Sequence, residues 1–599
     1  MDDIPPKDEA QQPPDKQQAS AEASDTEQTP TDQDTEPEVS AIKKPVHHRF
    51  RSWYVAKKKW TIPATILLFI ILLFVIPWTR YQICGLFLEN DFSIKVVDST
   101  ADKPVSGASV SIGGISAVTD GSGQATLHDV KVGDQTVKVE KKYYQSLSQT
   151  FLVPILDQKS VPSVQFVATG RQVKIDLSNL INGQPVSGAS IAVADIQSKT
   201  DKNGQAVVVL PANSTSEKAQ LSAPGYNNAN VTVAVSASEI KQNDFKLTPA
   251  GKVYFLSKLS GTIDVVKTNL DGTDRETVLA GTGKEDDSHT VLLASRDWQY
   301  LALLANRDGT APALYVINTN DDKLLNMDQG NANFTSIGWY NHYFIYTVAR
   351  NGYNAWQPNA FSIKSYNADN GQAITLANTN ASGTSNADAQ YENIWDTLIM
   401  GSDVVYSRTW YRYPGYLDVA GKQNVLAAIR PDGSNNRQLK SVDAGTSYIA
   451  NLRLSKPREL DFGVYSNDGS VATTYFVVDK SSNVSQSSDI TDASLSQEPL
   501  TYLLSPAGSQ TFWTEPRDGK NSLFIGDQDA GSPKQIASLS DYNTYGWYTD
   551  QYLLVSKNSS ELYIIPASGI KDDSQAIKIT DYHKPAEDFY GYGGGYGGL

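Results

Sequence analysis

Hydrophobic positions form one long apolar run near the start of the chain, followed by many short alternating segments. The run covers residues 61–79, nineteen consecutive positions without a charge. At about 1.5 Å per residue, a helix of this length crosses roughly 30 Å of hydrocarbon. The pattern therefore predicts a single transmembrane helix over residues 61–80.

The charges beside this run predict its orientation. Only Arg80 follows it closely, whereas seven basic side chains precede it: Lys43, Lys44, Arg49, Arg51, Lys57, Lys58 and Lys59. Positive flanks stay cytoplasmic, so we expect a cytoplasmic N-terminus and an exterior C-terminal part in a single-pass protein of the cell membrane. A cleaved signal peptide fits less well, because no small-residue cleavage site follows the run.

The segment before the run has two parts of different charge. Residues 1–40 hold twelve Asp or Glu against Lys7 and Lys16, mixed with Pro, Gln, Ser and Thr. Such a composition buries too little apolar surface to offset its ordering entropy. We predict a disordered acidic cytoplasmic tail over residues 1–45 and a basic juxtamembrane segment over 46–60.

An internal repeat follows the apolar run. KPVSGAS at 103–109 returns as QPVSGAS at 184–190, and DGSGQA at 120–125 returns as DKNGQA at 201–206, both at an offset of 81 residues. The segments between these motifs alternate apolar and polar positions, which is typical of half-buried strands. The repeat predicts two tandem β-sandwich modules, over residues 91–170 and 171–250.

These motifs carry a family resemblance. The pattern P-V-x-G-A-x-V, then T-D-x-x-G-x-A, resembles carboxypeptidase-regulatory-like, PEGA and adhesin B-type repeats. The resemblance implies a sandwich fold that serves as a stalk or spacer.

From residue 251 to residue 585 short strand patterns recur every 40 to 55 residues. SRDWQYLALLANRDG at 295–309, followed by ALYVINTN, resembles the blade of a TolB-type β-propeller, and SPAGSQTFWTEPRDG at 505–519 repeats it. The resemblance implies a propeller, and the recurring segments predict about seven blades, with six or eight as alternatives; the first predicted blade lacks an innermost strand. The Gly/Tyr-rich tail over residues 586–599 either supplies that strand through Asp588–Tyr592 or is flexible. The predicted fold class is thus mainly β, with one N-terminal transmembrane helix.

Charge and cysteine content narrow the setting. The formal net charge of −15 and the pI of about 5.0 argue against nucleic acid as a partner. Cys84 is the only cysteine, so no disulfide forms within the chain. Because large animal ectodomains usually carry disulfides, we expect a bacterial surface or periplasmic location.

No pattern of catalytic or metal-binding residues stands out. The six histidines are scattered without metal-site spacing, and nucleophile-elbow and phosphate-loop motifs are absent, so we predict no cofactor, no metal and no enzymatic activity. The alternative is a carbohydrate-active or other hydrolytic enzyme with its site at the propeller channel. Asp396 and Arg453 are the charged candidates near innermost strands.

Two long insertions carry the candidate binding residues. RNGYNAWQPN at 350–359 and RTWYRYPGYLDVAGKQ at 408–423 each separate the second and third strands of neighbouring predicted blades, so they should emerge side by side. Aromatic rings and arginines of this kind bind sugars or peptides, although the rings can equally pack on their own blades. The predicted ligand-binding residues are Arg350, Tyr353, Trp356, Arg408, Trp410, Tyr411, Arg412, Tyr413 and Tyr416. We therefore predict a membrane-anchored binding, adhesion or scaffold protein whose partners are the bilayer and an envelope glycan or protein.

Overall fold

The computed structural model describes residues 58–354, 356–382, 388–497, 500–517, 519–538, 542–557 and 561–580, and it divides into two compact units, Met1–Arg80 and Tyr81–Leu599. The predicted acidic tail, most of the predicted basic segment and the Gly/Tyr-rich tail, including Asp588–Tyr592, lie outside the described residues.

The apolar run forms two helices, α1 (Lys58–Val75) and α2 (Pro77–Cys84), where the sequence predicts one. They meet at Ile76, because proline disfavours the helical conformation in the residue before it and is well placed at a helix start. Large apolar side chains of the run are exposed, among them Leu67 at 59% and Phe69 at 65%. Within the described part of the chain, none of the helices reaches both the length and the apolar character that crossing a membrane requires.

The first repeat forms seven strands in two sheets, with orders β4-β1-β7 and β3-β2-β5-β6. The strands are β1 (Glu89–Asp98), β2 (Ser109–Ile112), β3 (Ile115–Val118), β4 (Gln124–Lys131), β5 (Gly133–Glu140), β6 (Leu147–Val153) and β7 (Ser163–Phe166). Side chains from both sheets form one core that includes Phe92, Ile94 and Phe166.

The second repeat has the same topology, with sheet orders β11-β8-β14 and β10-β9-β12-β13. Its strands are β8 (Arg171–Asn179), β9 (Ser190–Val193), β10 (Ile196–Lys199), β11 (Gln205–Leu210), β12 (Ser216–Ser222), β13 (Ala229–Ala234) and β14 (Lys241–Leu247). The repeated T-D dipeptide has the same role in both copies. The buried Thr119 hydroxyl donates to Val105 O at 2.6 Å, and the buried Thr200 hydroxyl donates to Val186 O at 2.7 Å.

The two modules contact each other directly through polar groups. The amide nitrogen of Gln172 donates to both carboxylate oxygens of Asp98 at 2.9 and 2.8 Å, and the hydroxyls of Ser106 and Ser198 lie 2.7 Å apart. Asp98 is fully buried, so its pairing with Gln172 offsets the cost of removing a carboxylate from water. The second module contacts the propeller in turn, where Asn179 Nδ2 donates to the Tyr552 hydroxyl at 2.7 Å.

Lys141, beside this junction, provides a pH-dependent prediction. Burial lowers the pKa of its ammonium group from 10.5 to about 8, although the ammonium donates to Ser106 O. Because the folded-state pKa lies below the unfolded one, the folded state loses this proton first, and stability should rise as the pH increases from about 8 to 10.5. The rise amounts to at most about 3 kcal/mol. Unfolding of the first module by denaturant across this pH range should show it in the native chain and not in Lys141→Met; parallel curves for the two proteins would contradict the prediction.

The remaining strands form seven successive antiparallel sheets, as many as the predicted blades. Blade 1 has three strands, β15 (Lys252–Ser257), β16 (Asp264–Asn269) and β17 (Glu276–Leu279). Blade 2 comprises β18 (Val291–Ala294), β19 (Tyr300–Ala305), β20 (Ala313–Asn318) and β21 (Lys323–Asp328). Blade 3 comprises β22 (Ala332–Tyr340), β23 (Tyr343–Arg350), β24 (Phe361–Asn367) and β25 (Gln372–Asn378). Blade 4 has five strands, β26 (Ala381–Ser382), β27 (Gln390–Met400), β28 (Asp403–Arg412), β29 (Gln423–Ile429) and β30 (Arg437–Asp443).

Blade 5 comprises β31 (Ser447–Lys456), β32 (Glu459–Ser466), β33 (Thr474–Val478) and β34 (Val484–Gln486), and a short helix, α3 (Asp492–Leu495), follows it. Blade 6 comprises β35 (Leu503–Leu504), β36 (Gln510–Arg517), β37 (Lys520–Asp527) and β38 (Lys534–Ser538). Blade 7 comprises β39 (Tyr542–Thr549), β40 (Tyr552–Lys557), β41 (Glu561–Pro566) and β42 (Ile577–Thr580), with a 3₁₀ turn at Asp573–Gln575.

The sheets close into a ring, which makes this part of the chain a β-propeller. Strands of neighbouring blades contact one another, in the pairs β15 and β18, β18 and β22, β22 and β27, β27 and β31, and β35 and β39. Val253 and Phe255 of blade 1 share a core with Leu554 and Leu562 of blade 7. Blade 1 has no described strand inside β15. Trp298 of blade 2 reaches past that position, and its indole nitrogen donates to Trp547 O of blade 7 at 2.8 Å.

Candidate ligand-binding surface

The loop between β23 and β24 meets the loop between β28 and β29. The Trp356 ring of the first loop packs edge-on against the Tyr413 ring of the second, with centroids 5.2 Å apart and planes at 86°. The same order of strands in each blade brings both loops out on one face. The contact joins two neighbouring blades into one surface.

Two exposed tyrosines flank this contact, and an arginine lies over the ring of each. The guanidinium of Arg350 lies 5.4 Å from the Tyr353 ring centre, and that of Arg412 lies 5.1 Å from the Tyr416 ring centre. Tyr353 is 47% exposed and Tyr416 is 56% exposed, so both rings are open to a partner. We call Arg350, Tyr353, Trp356, Arg412, Tyr413 and Tyr416 the aromatic surface.

Arg408 and Trp410 lie outside this surface, contrary to the loop placement expected from the sequence. Both belong to β28, which continues to Arg412 because it pairs with the long strand β27. Arg408 is ion-paired at 2.5 Å with Glu392, which is buried, and it also donates to Asn378 O at 2.9 Å. Trp410 is only 9% exposed, and the Lys422 ammonium lies 4.4 Å from its ring centre. These two side chains stabilise the blade.

Tyr411 faces the opposite side of β28 from Trp410, because side chains alternate along a strand. Its ring stacks on Tyr391 with centroids 5.7 Å apart, and burial raises the pKa of its hydroxyl. Tyr448 and Tyr465 of blade 5 stack in the same way at 5.4 Å. The sequence analysis did not predict the stacking of Tyr391, Tyr448 and Tyr465, although all three lie in segments of alternating strand pattern.

One of the two guanidinium groups in the aromatic surface is neutralised. Nη2 of Arg412 donates to both carboxylate oxygens of Asp418, at 3.0 and 2.9 Å, so this charge is balanced by its own loop. The Arg408–Glu392 pair is likewise closed within the blade. Among the described residues no carboxylate pairs with the Arg350 guanidinium, which lies over the Tyr353 ring, so the surface offers exposed rings and one positive charge to a partner with flat apolar faces.

The central cavity of the propeller is narrow and mostly apolar. Residues from all seven blades line it, including Tyr254, Leu292, Trp339, Ile399, Leu454, Leu503 and Trp547. The space open to the centre of a water molecule is about 70 Å³, room for only a handful of waters. Arg296 is the charged residue in this lining.

Asp396 and Arg453, the charged residues expected at the channel, are not in that lining. Asp396 sits in a β-bulge with a left-handed backbone, φ 46°, and its carboxylate accepts a bond from Leu452 N at 3.4 Å. Burial raises the pKa of Asp396, and the bond from Leu452 opposes this rise. Arg453 donates from Nε to Gln497 O at 3.2 Å. Both side chains thus form hydrogen bonds with neighbouring backbone groups.

Ionisable groups elsewhere also pair within the fold. His342 lies 2.7 Å from Asp297 and 2.8 Å from Asp369, which links blades 2 and 3. Among the residues that the structure describes, no three His, Cys, Asp or Glu side chains converge in a way that suits a metal ion.

Comparison with known proteins gives no family. No protein-family description matches the chain, and no curated protein matches it either.

Solved structures with β-propellers do align with the chain. The propeller domain of the trilobed protease from Pyrococcus furiosus is 11% identical, with a TM-score of 0.28 over 62% of this chain and 95% of that domain. TolB from Acinetobacter baumannii is 13% identical, with a TM-score of 0.24 over 52% of this chain and 74% of TolB. Oligogalacturonate lyase from Vibrio parahaemolyticus is 9% identical, with a TM-score of 0.26 over 53% of this chain and 82% of the lyase. Scores this low carry no argument, so the fold assignment rests on the strand order above.

Proposed function

We propose that this protein is a membrane-anchored binding protein of the bacterial cell surface or periplasm. The two modules act as a stalk, and the propeller binds an envelope glycan or protein without converting it chemically. The resemblance of the modules to PEGA-type and carboxypeptidase-regulatory-like repeats supports the stalk role. The nineteen uncharged positions at 61–79 and the exposure of their large side chains support the anchor.

One observation carries the binding role: the contact between the half-buried rings of Trp356 and Tyr413, which joins two loops so that the exposed Tyr353 and Tyr416 lie on one surface. Aromatic anchors of this kind hold most of the binding energy in protein interfaces and also stack on sugar rings. The chemistry available is stacking, hydrogen bonding and the charge of Arg350, because Arg408 and Arg412 are paired internally.

The test is a binding screen with the full chain in lipid nanodiscs against envelope glycans and envelope proteins. For a ligand found in this way, Trp356→Ala should weaken binding at least about tenfold, since truncating a central aromatic residue removes well over 1 kcal/mol. Val471→Ala is the matched control, because Val471 is an exposed apolar residue of blade 5, at 69%, outside the aromatic surface.

Two outcomes would contradict the proposal. Equal affinity of Trp356→Ala and Val471→Ala would remove the aromatic surface from the binding site. Turnover of the ligand by the native chain would replace binding with catalysis. Trp410→Ala should instead lower the stability of blade 4, because its ring is buried.

A further inference from the structure

Three large apolar side chains are exposed on two adjoining segments at the start of the first module. Leu86 is 71% exposed, Phe87 is 82% exposed and Leu156 is 77% exposed. Leu86 and Phe87 follow α2, whereas Leu156 belongs to the connection between β6 and β7. We call these three residues the apolar cap.

Hydrogen bonds hold both segments of the cap in place. Asn90 Nδ2 donates to Pro154 O and to Leu156 O, both at 3.0 Å, which brings Leu156 close to a residue three positions beyond Phe87. Gln158 exchanges two bonds with the Ser93 backbone, at 2.7 and 2.8 Å. The exposure of the cap is therefore a property of a fixed backbone, and large apolar side chains exposed on adjoining segments are typical of surfaces that meet a protein or a membrane.

The chain between the apolar run and the cap is short and tightly packed. Cys84 packs against the core of the first module, and a Cβ added to Gly85 would lie 2.5 Å from Val132 O. Val132 N in turn donates to Leu88 O at 3.2 Å. Residues 80–85 are six in number and Tyr81–Cys84 are helical, so this stretch spans on the order of 10 Å.

That length is similar to the thickness of the polar layer beside the hydrocarbon core of a bilayer. The polar headgroup region adds roughly 5 to 8 Å on each side of the core. We propose that the apolar cap inserts into the outer headgroup layer, so that the first module rests on the lipid surface. This inference rests on the anchor in the proposed function.

Charges near the cap favour insertion into neutral lipid over attraction to anionic lipid. Glu89 and Asp157 are exposed on the same two segments, and the exposed cations beside them are Lys159 and Lys131, which pairs with Glu89 across β1 and β4. The two acidic groups offset the two basic ones, so binding through the cap should depend little on salt or on anionic headgroups.

The experiment uses the full chain in phosphatidylcholine bilayers and its single cysteine. Cys84→Ser provides a cysteine-free background, into which Leu156→Cys, Ile70→Cys or Val471→Cys introduces one nitroxide label each. Collision of the label with oxygen, which concentrates in lipid, is compared with collision with a water-soluble nickel chelate. We expect the ratio of oxygen to nickel collision at residue 156 to exceed that at residue 471 at least threefold.

Each combination of results decides one question. If the label at residue 156 is as accessible to water as the label at 471 while the label at 70 is in lipid, insertion of the cap is contradicted and the anchor is retained. A water-accessible label at residue 70 overturns the anchor, and residue 156 still decides the cap by itself.

A second measurement leaves Cys84 unaltered, because replacing a residue packed on the core can disturb folding. Lys159 is a native trypsin site beside the cap, and Val471→Lys introduces one in blade 5, so cleavage after residue 159 in vesicles should be at least tenfold slower than after residue 471. Equal rates would contradict insertion of the cap. When the protein is in detergent that is diluted until it no longer covers the cap, the two cleavage rates should approach each other.

Discussion

Replacing Trp298 by alanine is expected to open the propeller between blades 2 and 7. The Trp298 ring packs with the cores on both sides of blade 1, and its centroid lies 5.7 Å from that of Tyr548. Truncation removes this packing and the bond to Trp547 O, so the propeller should lose about 3–5 kcal/mol of stability. Hydrogen exchange should accelerate in residues 252–279 and 542–557.

Trp298→Phe separates the two contributions, because phenylalanine retains most of the packing and loses the hydrogen bond. We expect this variant to lose only about 1 kcal/mol. Tyr353→Ala, which truncates an exposed ring, should leave exchange in blades 1 and 7 unchanged. If Trp298→Ala accelerated exchange equally in all seven blades, Trp298 would be an ordinary core residue with no special part in closing the ring.

The second large effect is expected for Gly204→Ala in the second module. Gly204 has a φ of +73°, and a Cβ there would lie 2.4 Å from Leu177 O. The Gly204 carbonyl accepts from Leu177 N at 2.8 Å, so the two backbones cannot separate without losing this bond. We expect the module to lose at least about 3 kcal/mol, from the left-handed backbone and the clash together.

Gly188→Ala is the matched control. Gly188 has nearly the same φ, +71°, but no atom lies within 4 Å of an added Cβ. It should cost only about 1–2 kcal/mol, the penalty of the left-handed conformation by itself. Urea unfolding followed by a probe in the second module measures both variants, and equal losses would mean that the close approach to Leu177 has no energetic consequence.

The local sequence predicts much of this architecture because turns and strand periods are short-range signals. The 81-residue offset of KPVSGAS and QPVSGAS marks two units that prove to have one topology, and the Asp-Gly turns mark strand ends along the propeller. The same reasoning fails for α1 and α2, where an unbroken apolar run conceals the effect of Pro77 on the helix.

The candidate site could be predicted only in part. Connectivity alone indicates that the two loops adjoin, and the Trp356–Tyr413 contact joins them. The Thr, Trp and Tyr residues of RTWYRY favour strands, but the extension of β28 through Arg408 and Trp410 depends on pairing with the long strand β27, which a loop assignment leaves out.

Local sequence patterns do not predict most contacts between blades, but one repeated motif does indicate such a contact. G-W-Y occurs at 338–340 and again at 546–548. The Trp339 indole donates to Leu293 O at 2.9 Å, and the Trp547 indole donates to Leu503 O at 2.8 Å, so each links its blade to the preceding one. A recurring tryptophan at one position of the first strand thus predicts a bond between blades.

The contact of the second module with the ring has a mechanical consequence. Asn179 bonds to Tyr552 of blade 7, and Ile181 packs in the core that blades 1 and 7 share. A load applied between the propeller and the two modules therefore passes through the seam where the first and last blades join, which is the seam that Trp298 bridges.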